Sequence, residues 1–346
     1  MYPAHVKYVV EEPEGPGDAI RIAVSTLSEP VNAALVAGGT LTALVVAIGY
    51  LRVQPFRQDL AALRSTLDSY RDLLPWLLRI SLGMPLIGAG FRGYYFSPAV
   101  DIQARIILVA AGFLLLFGLA TRVVAGLALL TYLLAIPAYP DILLANEYIG
   151  GLLAIVLIGS GRPSADHVFD RIASTPGTVY GRIEPVGGIA TAFRDRVDPL
   201  RAYLPTLVRV TLGANFLFLG ISQKLLQPAW AVAVVQKYSL TAVVPVDPEL
   251  WVIGAGLAEA AVGIALLAGL FTRAASGVAF GLFTTTLFAL PDDPVLAHLS
   301  LFGLVSVLIV TGAGPLSLDR RLFGAGRDDA VRSDRERSSG AEYGTD

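Results

Sequence analysis

The sequence lacks cysteine and contains few histidines, and these shortages exclude several kinds of chemistry. None of its 346 residues is cysteine, so the chain can form no disulfide, no thiolate metal site and no cysteine-ligated iron–sulfur cluster. Histidine occurs only at His5, His167 and His298, too few for a histidine-rich metal cluster. We therefore expect no metal site and no covalently bound cofactor.

Charge is also scarce. Only 16% of the residues are charged, 54% are hydrophobic, and the formal net charge is −2. Soluble domains carry about 25% charged residues, so this composition is typical of a membrane protein. The near-neutral balance gives no reason to expect nucleic-acid binding. Lysine occurs only at Lys7, Lys224 and Lys237, and the preference for arginine, with acidic ends, favours a source such as a halophilic archaeon.

Long apolar runs occupy most of the chain. The first, Val31–Val53, exceeds the roughly 20 residues that cross a bilayer as a helix. It starts too late and lacks the basic n-region of a cleaved signal peptide, so we interpret it as a retained span. Eight further candidate spans are Leu74–Phe91, Gln103–Leu119, Val123–Pro137, Tyr148–Ser160, Leu204–Ile221, Leu250–Leu270, Ala274–Leu290 and Val295–Thr311. The sequence predicts an all-α polytopic membrane bundle of about nine transmembrane helices.

The distribution of arginine along the chain predicts the orientation of this bundle in the membrane. Three arginine-rich segments follow the first span, join the two halves of the chain and form its tail, and nine spans would place all three on one side. The opposite loops, Ala138–Glu147 and Pro291–Pro294, contain no lysine or arginine. Because cytoplasmic loops collect these residues, we expect a plasma-membrane protein with its N-terminus outside and its C-terminus in the cytoplasm.

Two parts of the sequence resemble each other. The matching stretches are LPWLLRISLGMPLIGAG with LPTLVRVTLGANFLFLG, FGLATR with AGLFTR, and GSGRPSAD with TGAGPLSLD, at offsets of 130, 151 and 153 residues. Arg209 thus corresponds to Arg79. We infer an internal duplication. Each copy has four candidate spans, so both should enter the membrane in the same direction, related by a pseudo-two-fold axis along its normal.

These features divide the chain into seven predicted segments. They are an extracytoplasmic N-terminal segment (1–30), an extra transmembrane span (31–53), a cytoplasmic basic segment (54–73), a first repeat (74–170, here block one), a cytoplasmic linker (171–203), a second repeat (204–322, here block two) and a disordered cytoplasmic tail (323–346).

Each block is similar to the DoxX/DoxD family of four-helix membrane proteins. The resemblance rests on a first helix with arginine then glycine, a GL-x-T-R turn between helices two and three, and a terminal G-x-G-P-x-S-x-D. Block two matches better, because it adds KLLQPAWAVAVVQKYSL at Lys224–Leu240. The resemblance implies a membrane component of redox chemistry, such as the quinone-linked subunit of thiosulfate oxidation.

One carboxylate interrupts the apolar run GAGLAEAAVGIALLAGLFTR. This residue, Glu259, corresponds to Leu108 in block one, and the nearby polar Asn215 corresponds to Pro85. At about 1.5 Å rise per residue, Glu259 and Asn215 each lie roughly 16 Å from the predicted cytoplasmic ends of their helices. A charge at that depth costs about 2.5–3.5 kcal/mol or more, which favours a functional role. We predict that Glu259 accepts or donates a proton beside Asn215. A structural hydrogen bond to Asn215, or an ion pair with Arg209, is the alternative.

Five further residues are candidates for substrate binding: Arg209, Gln223, Lys224, Tyr238 and His298. Block two has 21 more residues than block one between its first two helices, and Lys224 and Tyr238 fall in this addition. The addition predicts either a substrate lid or an aromatic anchor in the membrane interface. His298, at the outer mouth of the last span, is either a proton relay or a satisfied interface residue.

Three functions remain open from the sequence. The first is an oxidoreductase subunit in which block two holds a quinone or another small apolar substrate, working with a soluble or membrane redox partner. The second is a small-solute transporter, suggested by tandem repeats around polar residues. The third is a membrane scaffold without chemistry.

Overall fold

The fold of the chain is given by a computed structural model that describes residues 19–183, 187–291 and 295–323. These residues form helices joined by turns, and the predicted all-α membrane bundle is confirmed. Residues 1–18, most of the predicted tail, and Asp292 and Asp293 lie outside the described residues. The segment boundaries remain a prediction.

Sixteen α-helices follow one another along the described chain. Their bounds are α1 Ala19–Ser28, α2 Pro30–Val53, α3 Arg57–Asp68, α4 Leu74–Arg92, α5 Arg105–Phe117, α6 Thr121–Ala135, α7 Glu147–Ile158, α8 Ala165–Ser174, α9 Val179–Ile183, α10 Gly187–Val197, α11 Leu204–Phe218, α12 Pro228–Lys237, α13 Pro248–Ala268, α14 Thr272–Ala289, α15 Val295–Thr311 and α16 Leu318–Phe323. Short 3-10 helices occupy Arg71–Leu73, Pro140–Ala145, Asp198–Tyr203 and Leu240–Ala242, and a π-helix occupies Leu219–Leu225.

Every one of the nine predicted spans coincides with a helix, namely α2, α4, α5, α6, α7, α11, α13, α14 and α15. Four helical stretches are long and apolar enough to cross a membrane by themselves: Pro30–Val53, Arg71–Arg92, Thr191–Leu225 and Pro248–Ala268. Others are shorter. Helix α7 has 12 residues, about 18 Å at 1.5 Å per residue, and the 3-10 helix before it lengthens the segment.

The two blocks meet through the first and last helix of each. Helix α15 packs on α4, and α7 packs on α11. Glycines permit this close approach, because a methyl group at Gly303 would meet the side chain of Ser81, and one at Gly150 would meet that of Thr211. Gly303 follows Gly150 by 153 positions and Thr211 follows Ser81 by 130. The blocks thus touch through corresponding surfaces.

A buried arginine ties together the arginine-rich end of block two. The guanidinium of Arg209 donates to the carbonyl oxygens of Leu266 at 2.7 Å, Leu267 at 2.6 Å and Leu316 at 3.0 Å. The first two carbonyls end α13, where a helix leaves such groups without an internal partner. Arg209 therefore supplies donors to buried carbonyls at the end of α13 and in the loop after α15.

Arg79 makes the equivalent contacts in block one. Its guanidinium donates to the carbonyl oxygens of Ser160 at 2.6 Å, Pro163 at 2.8 Å and Leu116 at 3.1 Å. Leu116 and Pro163 correspond to Leu267 and Leu316 at the offsets of 151 and 153 residues. This repeated set of contacts supports the inferred duplication.

The following turn is also built twice. The carboxylate of Asp319 accepts from the backbone N–H groups of Phe271, at 2.6 Å, and Thr272, at 2.8 Å, where α14 begins. Asp166 does the same for the start of α6, accepting from the N–H of Thr121 at 3.1 Å. Both carboxylates therefore satisfy helix N–H groups that have no partner inside the helix.

The extra N-terminal helix α2 touches block two at its two ends. Near its start, the amide of Asn32 lies 3.5 Å from a carboxylate oxygen of Asp247. Near its other end, the rings of Tyr50 and Phe271 meet edge to face with centroids 5.4 Å apart. Between these points only 6% of its apolar stretch is buried. Helix α2 is therefore an almost fully lipid-facing span beside block two.

We expect Arg209→Met to lower the free energy of unfolding by about 2–5 kcal/mol, because each orphaned buried carbonyl costs about 1–3 kcal/mol. Arg79→Met should behave similarly. Thermal unfolding of the purified protein in detergent measures both effects, with the exposed Arg171→Met as the control. Unchanged unfolding of both buried variants would show that the arginines do not hold the helices of each block together.

Candidate functional site

The predicted intramembrane carboxylate makes an ion pair. Nζ of Lys224 lies 2.7 Å from Oε2 of Glu259, and each side chain is 19% exposed. Two opposite charges held together in this way cost less in the bilayer than one alone. The alternative in which Glu259 contacts Asn215 or Arg209 is wrong, because the partner of Glu259 is Lys224.

A change of helix type brings the lysine to this position. After α11 the chain continues as the π-helix Leu219–Leu225, which contains Lys224. Gly220 in this segment lies against α13, where an added methyl group would be 2.8 Å from the carbonyl oxygen of Gly256 and 3.1 Å from Cβ of Glu259. Single-turn π segments are frequent at functional sites, because they redirect side chains.

Block one fills the corresponding space with apolar groups. Leu108, the counterpart of Glu259, is 2% exposed in the core. The shorter outer loop buries Phe96, whose ring contacts those of Tyr132 and Tyr148 at centroid distances of 5.1 and 5.0 Å. The ion pair therefore occurs in block two and has no counterpart in block one.

Asn215 belongs to a different cluster. Its amide nitrogen donates to Oε2 of Glu147 at 3.2 Å, and the hydroxyl of Ser300 donates to Oε1 of Glu147 at 3.0 Å. The three residues are 1%, 2% and 0% exposed. Asn215 and Ser300 belong to block two and Glu147 to block one, so this cluster lies where the blocks meet. The prediction that Asn215 lies beside Glu259 is wrong.

The cluster retains unused hydrogen-bonding capacity. Oδ1 of Asn215 and Oδ1 of Asn146, the neighbour of Glu147, have no partner among the described residues. Buried polar atoms are normally paired, so unpaired ones require an explanation. The two amide oxygens therefore leave the cluster able to accept hydrogen bonds from a further donor.

Glu147 and Ser300 were missed as site residues from the sequence. Glu147 was assigned to a loop, immediately before a predicted span. The signal that could have found them is the offset of 153 residues, which makes Ser300 the counterpart of Glu147. Near a pseudo-two-fold axis, corresponding residues of two repeats face each other.

The other predicted residues are dispersed. Gln223 is 7% exposed, and its amide lies 3.4 Å from the hydroxyl of Ser222. Tyr238 packs on the apolar cluster of α12, with the ammonium of Lys237 4.9 Å from its ring centroid. His298 is buried beside Phe283, with ring centroids 6.5 Å apart. The guanidinium of Arg209 is occupied by carbonyls, which favours a structural role for it over substrate binding.

A metal site has no obvious place here. Within residues 19–183, 187–291 and 295–323, no three histidine, aspartate or glutamate side chains gather closely enough to hold an ion. The polar groups that a ligand could reach in the two clusters are the ammonium of Lys224, the carboxyls of Glu259 and Glu147, and the amides of Asn215 and Asn146.

The apolar helices define a multi-pass helical membrane protein. Residues 204–299, within block two, match the DoxX family model. Block two thus carries a DoxX domain, and the resemblance noted in the sequence is confirmed there. No curated protein and no solved structure matches the chain.

We expect Glu147 and Asn215 to be energetically coupled. Glu147→Leu or Asn215→Leu alone should cost about 1–3 kcal/mol, because each leaves a buried partner unsatisfied. The double variant should cost less than the sum by about 0.5–3 kcal/mol. Unfolding of the four proteins in detergent measures the coupling, and Glu147→Leu combined with Glu259→Leu is the control pair. If the unfolding free-energy changes of the single variants add in the Glu147–Asn215 cycle as they do in the control cycle, the two residues are not coupled and the cluster is contradicted.

Proposed function

We propose that the protein is the quinone-facing subunit of a membrane oxidoreductase, with its site at the Lys224–Glu259 pair of the DoxX domain. The observation that carries this proposal is a 2.7 Å ion pair within the apolar helices, formed by a π-helical segment that block one lacks. Ionisable groups at membrane depth usually mark a site of ion or substrate handling.

The chemistry of the pair suits a quinone. The ammonium of Lys224 has three N–H bonds, of which one is directed at Glu259, so it can also donate to a quinone carbonyl oxygen. The carboxyl of Glu259 can take up a proton from water and pass it to a quinone oxygen as the ring accepts electrons from the partner protein. Reduction of a quinone consumes two electrons and two protons and yields a quinol, and Glu259 is the group that exchanges protons with the ligand.

The surroundings suit an apolar ligand that arrives from the bilayer. Both side chains of the pair are 19% exposed, and the neighbouring Leu226 and Leu257 are 61% and 41% exposed. A ring carried on an isoprenoid tail could therefore reach the pair without crossing the bundle. Because the sequence contains no cysteine for a thiolate redox centre, a partner protein must supply the electrons. Reduced sulfur compounds such as thiosulfate are the donors that the family resemblance favours.

The distribution of arginine supports an orientation of the protein in the plasma membrane. Tyr50 near the end of α2 and Phe271 just after α13 are in contact, and both are followed in the chain by arginine. We therefore assign this side of the helical bundle to the cytoplasm. The Lys224–Glu259 pair then opens nearer the outer half of the plasma membrane, where an extracytoplasmic or membrane-bound redox partner would meet it.

We expect Lys224→Met to weaken binding of a short-chain quinone by about 10–100-fold, the value of a hydrogen bond from a charged donor. Glu259→Gln should weaken binding less but slow proton uptake by the bound ligand. Quenching of tryptophan fluorescence in lipid nanodiscs measures the affinity. Glu249→Gln, in the first turn of the same helix, is the matched control.

A double variant separates a binding role from a structural one. Replacing both partners, as in Lys224→Met with Glu259→Leu, leaves no unpaired charge and should preserve thermal stability. We expect this variant to fold and to bind no quinone. Quinone binding equal to that of the wild type would overturn the proposal and favour a scaffold or a transporter, which solute uptake into vesicles would separate.

A further inference from the structure

The turn between α2 and α3 encloses a cavity at the arginine-rich end of the protein. Two residues of this turn adopt the left-handed backbone region, Gln54 with φ 46° and Phe56 with φ 60°, and reverse the chain sharply. After the reversal α3 packs on α15, and residues of α2, α3 and α16 surround one cavity. The cavity between them has a volume of about 150 Å³.

The lining of this cavity is basic and polar. Arg57 and Arg64 line it from α3, Tyr50 and Gln54 from α2, and Leu322 and Phe323 from α16. The two arginines are seven residues apart, two turns of helix, so their guanidinium groups share one face. None of the described residues that line the cavity is acidic.

These arginines are not engaged within the part of the chain that the structure describes, where no ion pair involves Arg57 or Arg64. The acidic residue that ends α3, Asp68, is already held by Arg71 at 3.1 Å and by Arg273 at 3.6 Å. Two unneutralised guanidinium groups around a cavity attract an anion.

The surface beside the cavity is apolar and faces lipid. Helix α2 rises from it as a 24-residue apolar helix of which only 6% is buried. On α3 and its turn, Phe56 and Leu63 are 73% and 50% exposed. Helix α3 contains two arginines and two aspartates, and a helix that combines such charged groups with exposed apolar side chains is suited to the membrane interface.

We propose that this cavity binds the phosphate headgroup of an anionic phospholipid whose acyl chains lie along α2. Arginine matches phosphate with paired N–H donors, and the Tyr50 hydroxyl and Gln54 amide offer further donors. Basic pockets beside transmembrane helices on the cytoplasmic side are suited to such headgroups. A free phosphate would use the arginines equally well but would gain nothing from the exposed length of α2, which is why we commit to a lipid.

The site is tested by binding of phosphatidylglycerol to the full chain in detergent, measured by native mass spectrometry and by the rise in the thermal unfolding midpoint. Phosphatidylcholine and inorganic phosphate are the comparison ligands. The variant is Arg57→Gln with Arg64→Gln, and the matched control is Arg171→Gln with Arg196→Gln, which removes two exposed arginines from the linker region. Arg57→Lys with Arg64→Lys retains the charge without the paired donors.

We expect the wild type and the control to retain one bound phosphatidylglycerol. The Arg57→Gln, Arg64→Gln variant should bind it about 10–30-fold more weakly and lose it, since each arginine contributes about fivefold at an anionic surface. The lysine variant should fall between them. In phosphatidylcholine all four proteins should unfold at the same temperature, which shows that the variants fold. Equal loss of lipid in the variant and the control, or stabilisation by inorganic phosphate equal to that by the lipid, would overturn the proposal.

Discussion

Backbone carbonyl groups that end a helix inside a membrane protein need donors, because lipid offers none. Arg209 and Arg79 meet this need, each gathering carbonyls from the end of one helix and from the loop after another. Each block is thereby closed at its arginine-rich end by one side chain with several fixed donors. Lysine, with a single ammonium on a flexible stem, would not match this geometry as well. In block two this closure fixes α11, the helix that continues into the π-helical segment with Lys224.

The interface between the blocks places unlike side chains at corresponding positions. Residues that correspond in the two blocks face each other near the axis, and in two identical copies they would be the same residue. Two glutamates in that buried place would repel each other, because one charge there is already costly. The chain instead has Glu147 in block one and Ser300 in block two, an acceptor and a donor 3.0 Å apart. Under the inferred duplication, the two corresponding positions carry complementary side chains, which two identical copies could not have.

The sequence predicted the helices better than it predicted their side-chain contacts. Periodic apolar runs locate spans, and all nine coincide with helices. Depth within a helix is also simple to estimate, which is why Asn215 and Glu259 were placed at one level. The face of the helix on which a residue lies is harder to predict. Asn215 is two residues from Gly213, about 200° around the helix, and Gly213 packs on α13. Asn215 therefore points away from α13. The partner of Glu259 could not be predicted, because a π-helix shifts Lys224 from the direction an α-helix would give it.

The ion pair and the interface cluster assign different tasks to the two blocks. Block one fills the position of Glu259 with the buried Leu108 and closes its outer loop with Phe96, so it has no corresponding polar opening. Yet it supplies Glu147, the acceptor on which Asn215 and Ser300 of block two depend. Block one thus packs on the first and last helices of block two, and the π-helical segment that carries Lys224 continues directly from the first of these. The surface that contacts block one and the residue that pairs with Glu259 therefore belong to one continuous helical segment.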